Sequence, residues 1–211
     1  MALLRFGWIQ MMPNITLMTL PTCPFGMRFQ LLMQHHGIEY SLDPTQPATS
    51  LESDKKLYIT PPAALSCIVQ IAGIPLSRET LNSLSPLLAL VDKITLGQQN
   101  LITAQTAANF ENIWHVIGDS IGQLAAIKSD TPYFENDVIG IADFAITPFF
   151  LYQVAIDALY GHTLLDHHPN LSAWSAKLMH QQTIHTILRD GFPNQLIKLI
   201  ENSDGYLSKL G

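Results

Sequence analysis

The stretch ITLMTLPTCPFGMRFQLLMQHHGIEYSL, residues 15–42, decides the fold. Ile15 to Leu20 is a short β-prone run, and the Pro-Thr-Cys-Pro-Phe-Gly that follows breaks it. Pro24 suits the first position of a helix, where its missing N–H costs nothing, and Cys23 then stands at the N-cap. Phe25, Phe29, Leu32 and Met33 recur at helical spacing and share one face, and Gly37 ends the helix. Ile38 to Leu42 reads as a second strand. The opening is therefore β-α-β, a parallel crossover unit.

Downstream, TQPATSLESDKK (residues 45–56) is polar and reads as a loop with a weak helix. After the double proline Pro61-Pro62, Ala64 to Gln70 and Gly73 to Leu76 read as a β-hairpin, and Ser77 to Leu84 as a helix capped by Ser77. Ser85-Pro86 repeats the cap-then-proline signal and reads as a new helix or a domain junction. No strand pattern follows. Asn100 to Lys128 carries one helical period, and Gly140 with Asp143 three residues on reads as a capping box. Pro148 is expected to kink the helix that this box opens. Leu171, Trp174 and Leu178 mark the next helix, and Ile184, Ile187 and Leu188 continue its apolar face. The expected class is α/β plus all-α, with a small α/β domain over 12–84 and a helical domain over 86–211.

Composition narrows the function. The 211 residues are 47% hydrophobic and only 13% charged, with a net charge of −6. Such a chain is too apolar to be disordered and lacks the basic footprint that nucleic acid or an anionic membrane surface requires. The most apolar run, Phe144 to Tyr160, is interrupted by Pro148, Gln153 and Asp157, so no membrane span is expected. Two cysteines make no disulfide scaffold, and the segment before Met11-Met12 lacks a signal-peptide pattern; a cytoplasmic location is expected. His35-His36 and His167-His168 are adjacent pairs that do not share a helix face, so no metal is expected.

Chemistry concentrates at Cys23. A thiol attacks only as thiolate, and the N-terminus of a helix offers unpaired N–H groups and a positive dipole end that favour the anion. Where dithiol enzymes carry a second cysteine three residues on, this chain has Gly26, so a mixed disulfide would need an outside thiol to resolve it. Cys67 reads as a buried small hydrophobe. Arg28 reads as an ion-pair or solvated helix residue.

Cys23-Pro24-Phe25-x-x-Arg28, the β-α-β opening, the Gly140-Ile-Ala-Asp143 box and the Trp174 helix together resemble the glutathione transferase family, its cysteine-type members near the omega and beta classes. The resemblance implies a thioredoxin-like N-terminal domain, an all-helical C-terminal domain, and glutathione as substrate or co-substrate. It implies that Cys23 faces the glutathione sulfur, with Pro24 and Phe25 beside it. Glu79 and Thr80, matched to the family's Glu-Ser pair, would bind the γ-glutamyl end. Pro61 or Pro62 would be the family's cis-proline. Phe110, Trp114 and Phe149 would wall a pocket for a hydrophobic co-substrate, and the protein would be a homodimer.

The span from Thr80 to Ile141 reads as shorter than the family's first two C-terminal helices need, so that pocket is expected to be reduced. Thiol-disulfide exchange, dehydroascorbate reduction and conjugation of electrophiles are the enzymatic options. A non-enzymatic binding protein and a carrier of apolar ligands are the rivals.

Overall fold

The computed structural model describes residues 14–45, 50–53, 56–58, 65, 68–71, 73, 77–134, 137–189 and 191–210. Strand β1 (Ile15–Met18) alternates buried and half-buried side chains, the period of a pleated strand with one face on a core. Cys23, in an extended conformation, caps helix α1 (Pro24–His35), with Pro24 in its first turn. The helix ends as its sequence dictates. Gly37 takes φ +64°, its N–H donates to Gln34 O at 3.1 Å, and the N–H of Ile38 donates to Met33 O at 2.9 Å, closing a Schellman motif.

Strand β2 (Ser41–Asp43) pairs parallel with β1, so the crossover unit forms, shifted slightly past the expected Ile38–Leu42. The hairpin is real but lies elsewhere. Strands β3 (Ser50–Ser53) and β4 (Lys56–Tyr58) form it, β3 wholly within the stretch expected to be a loop and β4 at its end. Residues 65 and 68–71, expected in the hairpin, are helical instead. A short continuous apolar run fits a buried helix as well as a strand, and here Ile68 is fully buried in helical form. The sheet order is β2-β1-β3-β4, with β3 antiparallel to β1.

Helix α2 (Arg78–Ile102) starts where expected: Ser77 Oγ accepts the N–H of Thr80 at 3.0 Å. It then runs unbroken through Pro86, so no new helix opens at Ser85. Pro86 removes one helical hydrogen bond. The flanking Leu84, Leu87, Val91 and Ile94 are buried at 0–6% exposure, and their packing holds the helix through it. The single helix expected over Asn100–Lys128 is two elements. Helix α2 stops at Ile102, and α3 (Ala107–Ile127) restarts behind a Thr106 cap. Two long helices thus occupy the stretch expected to be too short for them.

Helix α4 (Ile141–Tyr160) is the central element and packs against α1, against α2 and against α7 (Phe192–Glu201). It is long and apolar enough to cross a membrane by length and composition, but 78% of its apolar window is buried inside the protein, as befits a core helix. It continues through Pro148 and ends at Gly161, φ +77°. Helix α5 (Pro169–Met179) packs beside α4, and α6 (Gln182–Arg189) packs beside α1, α5 and α7, with Leu171, Trp174 and Leu178 buried as their spacing predicts.

One carboxylate fixes the start of α4. Asp143, 1% exposed, accepts the N–H of Gly140 at 2.8 Å, the N–H of Phe134 at 3.0 Å and the indole N–H of Trp174 at 2.7 Å. Burial pushes its carboxyl above the usual range, and these three donors pull in the opposite direction. The capping box expected from sequence is present, and it also ties α4 to α5.

Candidate functional site

The turn between β1 and α1 carries Cys23. Its N–H donates to Leu20 O at 3.0 Å and its carbonyl accepts from Met27 N–H at 3.0 Å, so the backbone on both sides of the thiol is held. The side chain is half-buried. Cys23 as N-cap leaves its sulfur at the amino end of the helix, where unpaired N–H groups collect.

Two contacts hold this turn from outside it. Tyr152 of α4 donates its hydroxyl to the carbonyl of Thr22, so a residue of the helical layer grips the residue before the thiol. Burial, and then the charge of Cys23, push the Tyr152 phenol far up, which keeps it a donor. Gly26, in the first turn of α1, lies on Thr19. A Cβ there would stand 2.6 Å from Thr19 Cβ and closer still to its Oγ1 and Cγ2. The position that holds a second thiol in dithiol enzymes thus has no room for any side chain.

Not all expected site residues gather at Cys23. Pro24 is buried and Phe25 half-buried on the first turn of α1, and the Phe25 ring lies 4.9 Å from the Arg28 guanidinium carbon. Pro61 and Pro62 lie outside the described residues, as does Cys67. Glu79 is exposed in the first turn of α2. Thr80 gives its N–H to Ser77 Oγ at 3.0 Å, and its hydroxyl lies 2.9 Å from the same atom. That cap occupies the groups expected to take a ligand carboxylate. A helical segment at 65 and 68–71 also stands between the hairpin and α2, so Glu79 does not open the first helix after the hairpin. The structure places the matched Glu-Ser pair in the first turn of α2.

The residues expected to wall a co-substrate pocket lie in or against the core. Phe110 and Phe149 are 0% exposed and touch no open surface. Trp114 stacks on Phe110 with centroids 5.9 Å apart, and Tyr160 and Tyr206 complete an aromatic core cluster. The spacing that puts Phe110 and Trp114 on one face of α3 turns that face toward the core. Among the described residues no group of His, Cys, Asp and Glu side chains is arranged to hold a metal ion.

An open cavity of about 360 Å³ lies between α1, α2 and the start of α4. Phe29, Leu32, Leu81, Leu88 and Phe144 line it together with Arg28 and Asp92. Sequence reasoning missed Tyr152, Thr19 and Asp92 as partners of the Cys23–Arg28 segment. All three are tertiary contacts; only the glycine at 26, unusual inside a first helical turn, hinted at one of them.

No protein-family model matches the sequence, and no curated protein sequence matches it. Solved structures do. A rice glutathione transferase in complex with glutathione superposes with a TM-score of 0.74 at 13% identity, over 95% of this chain and 99% of that one. A Tau class enzyme from mango, Mangifera indica, gives 0.73 at 14% identity, over 88% of this chain and 96% of that one. The chain has the glutathione transferase fold. An Omega glutathione transferase from Trametes versicolor matches this fold at 0.70 and 13% identity, over 81% and 87% of the two chains. The thioredoxin-like domain followed by a helical domain, expected from sequence, is the architecture these proteins share with this chain.

Proposed function

We propose that the protein is a glutathione-dependent thiol enzyme, with Cys23 as the exchanging sulfur and Pro24 and Phe25 beside the bound glutathione. The observation that carries this reading is a half-buried cysteine at the N-cap of α1, in a glutathione transferase fold, with Gly26 where no second thiol fits. A lone thiol of that kind suits monothiol exchange. The Cys23 thiolate attacks a disulfide sulfur of the substrate; the S–S bond breaks, a protein mixed disulfide forms, and the departing thiolate takes up a proton. Where the substrate is itself a glutathione mixed disulfide, the protein is left carrying glutathione. One further glutathione thiolate then attacks that sulfur, releases glutathione disulfide and regenerates Cys23. For each glutathione mixed disulfide reduced, one glutathione is consumed; the other half of the glutathione disulfide released entered, already oxidised, with the substrate.

Tyr152 is a positioning residue in this scheme, because it holds the Thr22 carbonyl and through it the turn. The cysteine-type assignment and a homodimer belong to the same proposal, and a monomeric mass in light scattering contradicts the dimer. Assays with hydroxyethyl disulfide, dehydroascorbate and chlorodinitrobenzene, on wild type and Cys23→Ser, test the chemistry. Disulfide activity that depends on Cys23 supports the reading, and full activity in the variant overturns it.

A second reading, a non-enzymatic protein on the same fold, is favoured by the engagement of Thr80 with Ser77. It predicts no thermal stabilisation by millimolar glutathione. A ligand at 100 times its Kd stabilises by about 2.7 kcal/mol, so the two readings separate in one melt.

A further inference from the structure

Helix α4 continues through Pro148, yet that residue has no N–H to give to the carbonyl one turn back. A helix bends most readily where such a bond is missing. Tyr152, whose hydroxyl holds the Thr22 carbonyl beside Cys23, lies just past this point. Its grip therefore depends on where the second half of α4 lies, and Gln98 of α2 fixes that half. The Gln98 side chain is 1% exposed, and its Nε2 donates to the Phe149 carbonyl at 3.1 Å and to Gln153 Oε1 at 3.3 Å. Gln153, equally buried, gives its own Nε2 to Asp157 Oδ1. The two Gln98 contacts follow the proline and flank Tyr152 in sequence. The anchor is itself held, because Gly97 lets α2 lie close on α3; a Cβ there would stand 2.8 Å from Ile117 Cγ1. Apolar side chains would fill the same space but could slide, whereas two directed bonds, one of them to the backbone, do not.

We propose that Gln98 is a positioning residue for the Cys23 thiol: it pins the half of α4 beyond Pro148 and so sets the Tyr152 hydroxyl on the Thr22 carbonyl. The path runs from Gln98 to the Phe149 carbonyl, along the α4 backbone to Tyr152, and across a hydrogen bond to the residue before the cysteine. Phe192 of α7 packs against the Tyr152 ring, centroids 5.8 Å apart, and limits how far that ring can turn to make up for a displaced helix. The inference rests on the thiol chemistry proposed above for its meaning in turnover, while the reactivity of the sulfur toward an alkylating agent reads it directly.

Rates of Cys23 alkylation by iodoacetamide, assigned by peptide mapping and followed from about pH 6 to about pH 9, test it in wild type, Gln98→Met, Tyr152→Phe and the double variant. Gln98→Met should change the rate about threefold or more, in the same direction as Tyr152→Phe. The double variant should match Tyr152→Phe alone, because the amide acts through the hydroxyl. A residue that only supports the fold would lower the urea midpoint and leave the rate and its pH profile in place. If Gln98→Met does not fold, Gln98→Met with Gln153→Met, which leaves neither amide unpaired, carries the same expectation. An unchanged rate in the amide variants, a change in the opposite sense, or effects of Gln98→Met and Tyr152→Phe that simply add overturns the proposal. Disulfide activity retained by Cys23→Ser overturns the enzyme reading instead and leaves this cycle of variants intact.

Discussion

Gly26 of α1 rests directly on Thr19 at the end of β1, so close that a Cβ at position 26 would stand 2.6 Å from the threonine Cβ. Thr19 is itself 0% exposed and has nowhere to retreat. The single-thiol character of the site is thus enforced by helix-to-strand packing and does not rest on the chance absence of a cysteine.

Gly26→Cys should therefore not convert the protein into a dithiol enzyme. It should destabilise the fold by about 1–3 kcal/mol through overpacking. Thr19→Ala removes two of the three clashing atoms, so the double variant should recover part of the loss. Urea melts of the two single variants and the double variant measure this; a Gly26→Cys protein as stable as wild type contradicts the packing argument.

Tyr152→Phe removes the donor that holds the Thr22 carbonyl. The expected cost is about 1 kcal/mol of stability, since a half-buried acceptor loses its donor. Disulfide exchange should slow several-fold, and alkylation of Cys23 by iodoacetamide should change with it. Unchanged alkylation would mean that the hydroxyl is structural only.

How far these contacts were legible depended on their range. The run Cys23 to Gly37 declares itself, because a proline in the first turn and a glycine after the last are local signals with local causes. The same holds for the Asp143 box and the Ser77 cap. The hairpin was hidden by its composition. Ser50–Ser53 buries only Leu51 and Ser53, so its alternation is carried partly by a serine. The apolar run that followed was equally compatible with helix. Pro86 misled because a proline's local effect is to end a helix, whereas burial of Leu87 and Val91 overrides it. Asp92 lies 64 residues from Arg28 and Tyr152 lies 130 from Thr22, and no single-sequence pattern reports such pairs.

Asp143→Ala should be among the most damaging single substitutions. It leaves the Gly140, Phe134 and Trp174 N–H groups without their acceptor and removes a helix cap. We expect a loss of about 3 kcal/mol or more in chemical denaturation. A loss below about 1 kcal/mol would show that the donors find other partners.

His35 lies 5.0 Å from the Phe144 ring, and burial lowers its imidazole from the ordinary value of 6.5. Burial and then the charge of His35 lower His36 as well. A base depressed in the folded state binds fewer protons there than in the unfolded chain. The stability it contributes is present above about pH 6.5 and is lost as pH falls through the lowered folded value. The melting temperature should therefore drop between about pH 8 and about pH 5, and His35→Gln should flatten that slope. An identical slope in the variant assigns the dependence to other groups.

The exchange of Cys23 with glutathione is tested most directly by intact-mass spectrometry with peptide mapping after incubation with glutathione disulfide. The account predicts one glutathionyl group, located on Cys23, lost again on addition of glutathione and absent from Cys23→Ser. An unmodified protein, or modification confined to Cys67, would contradict it.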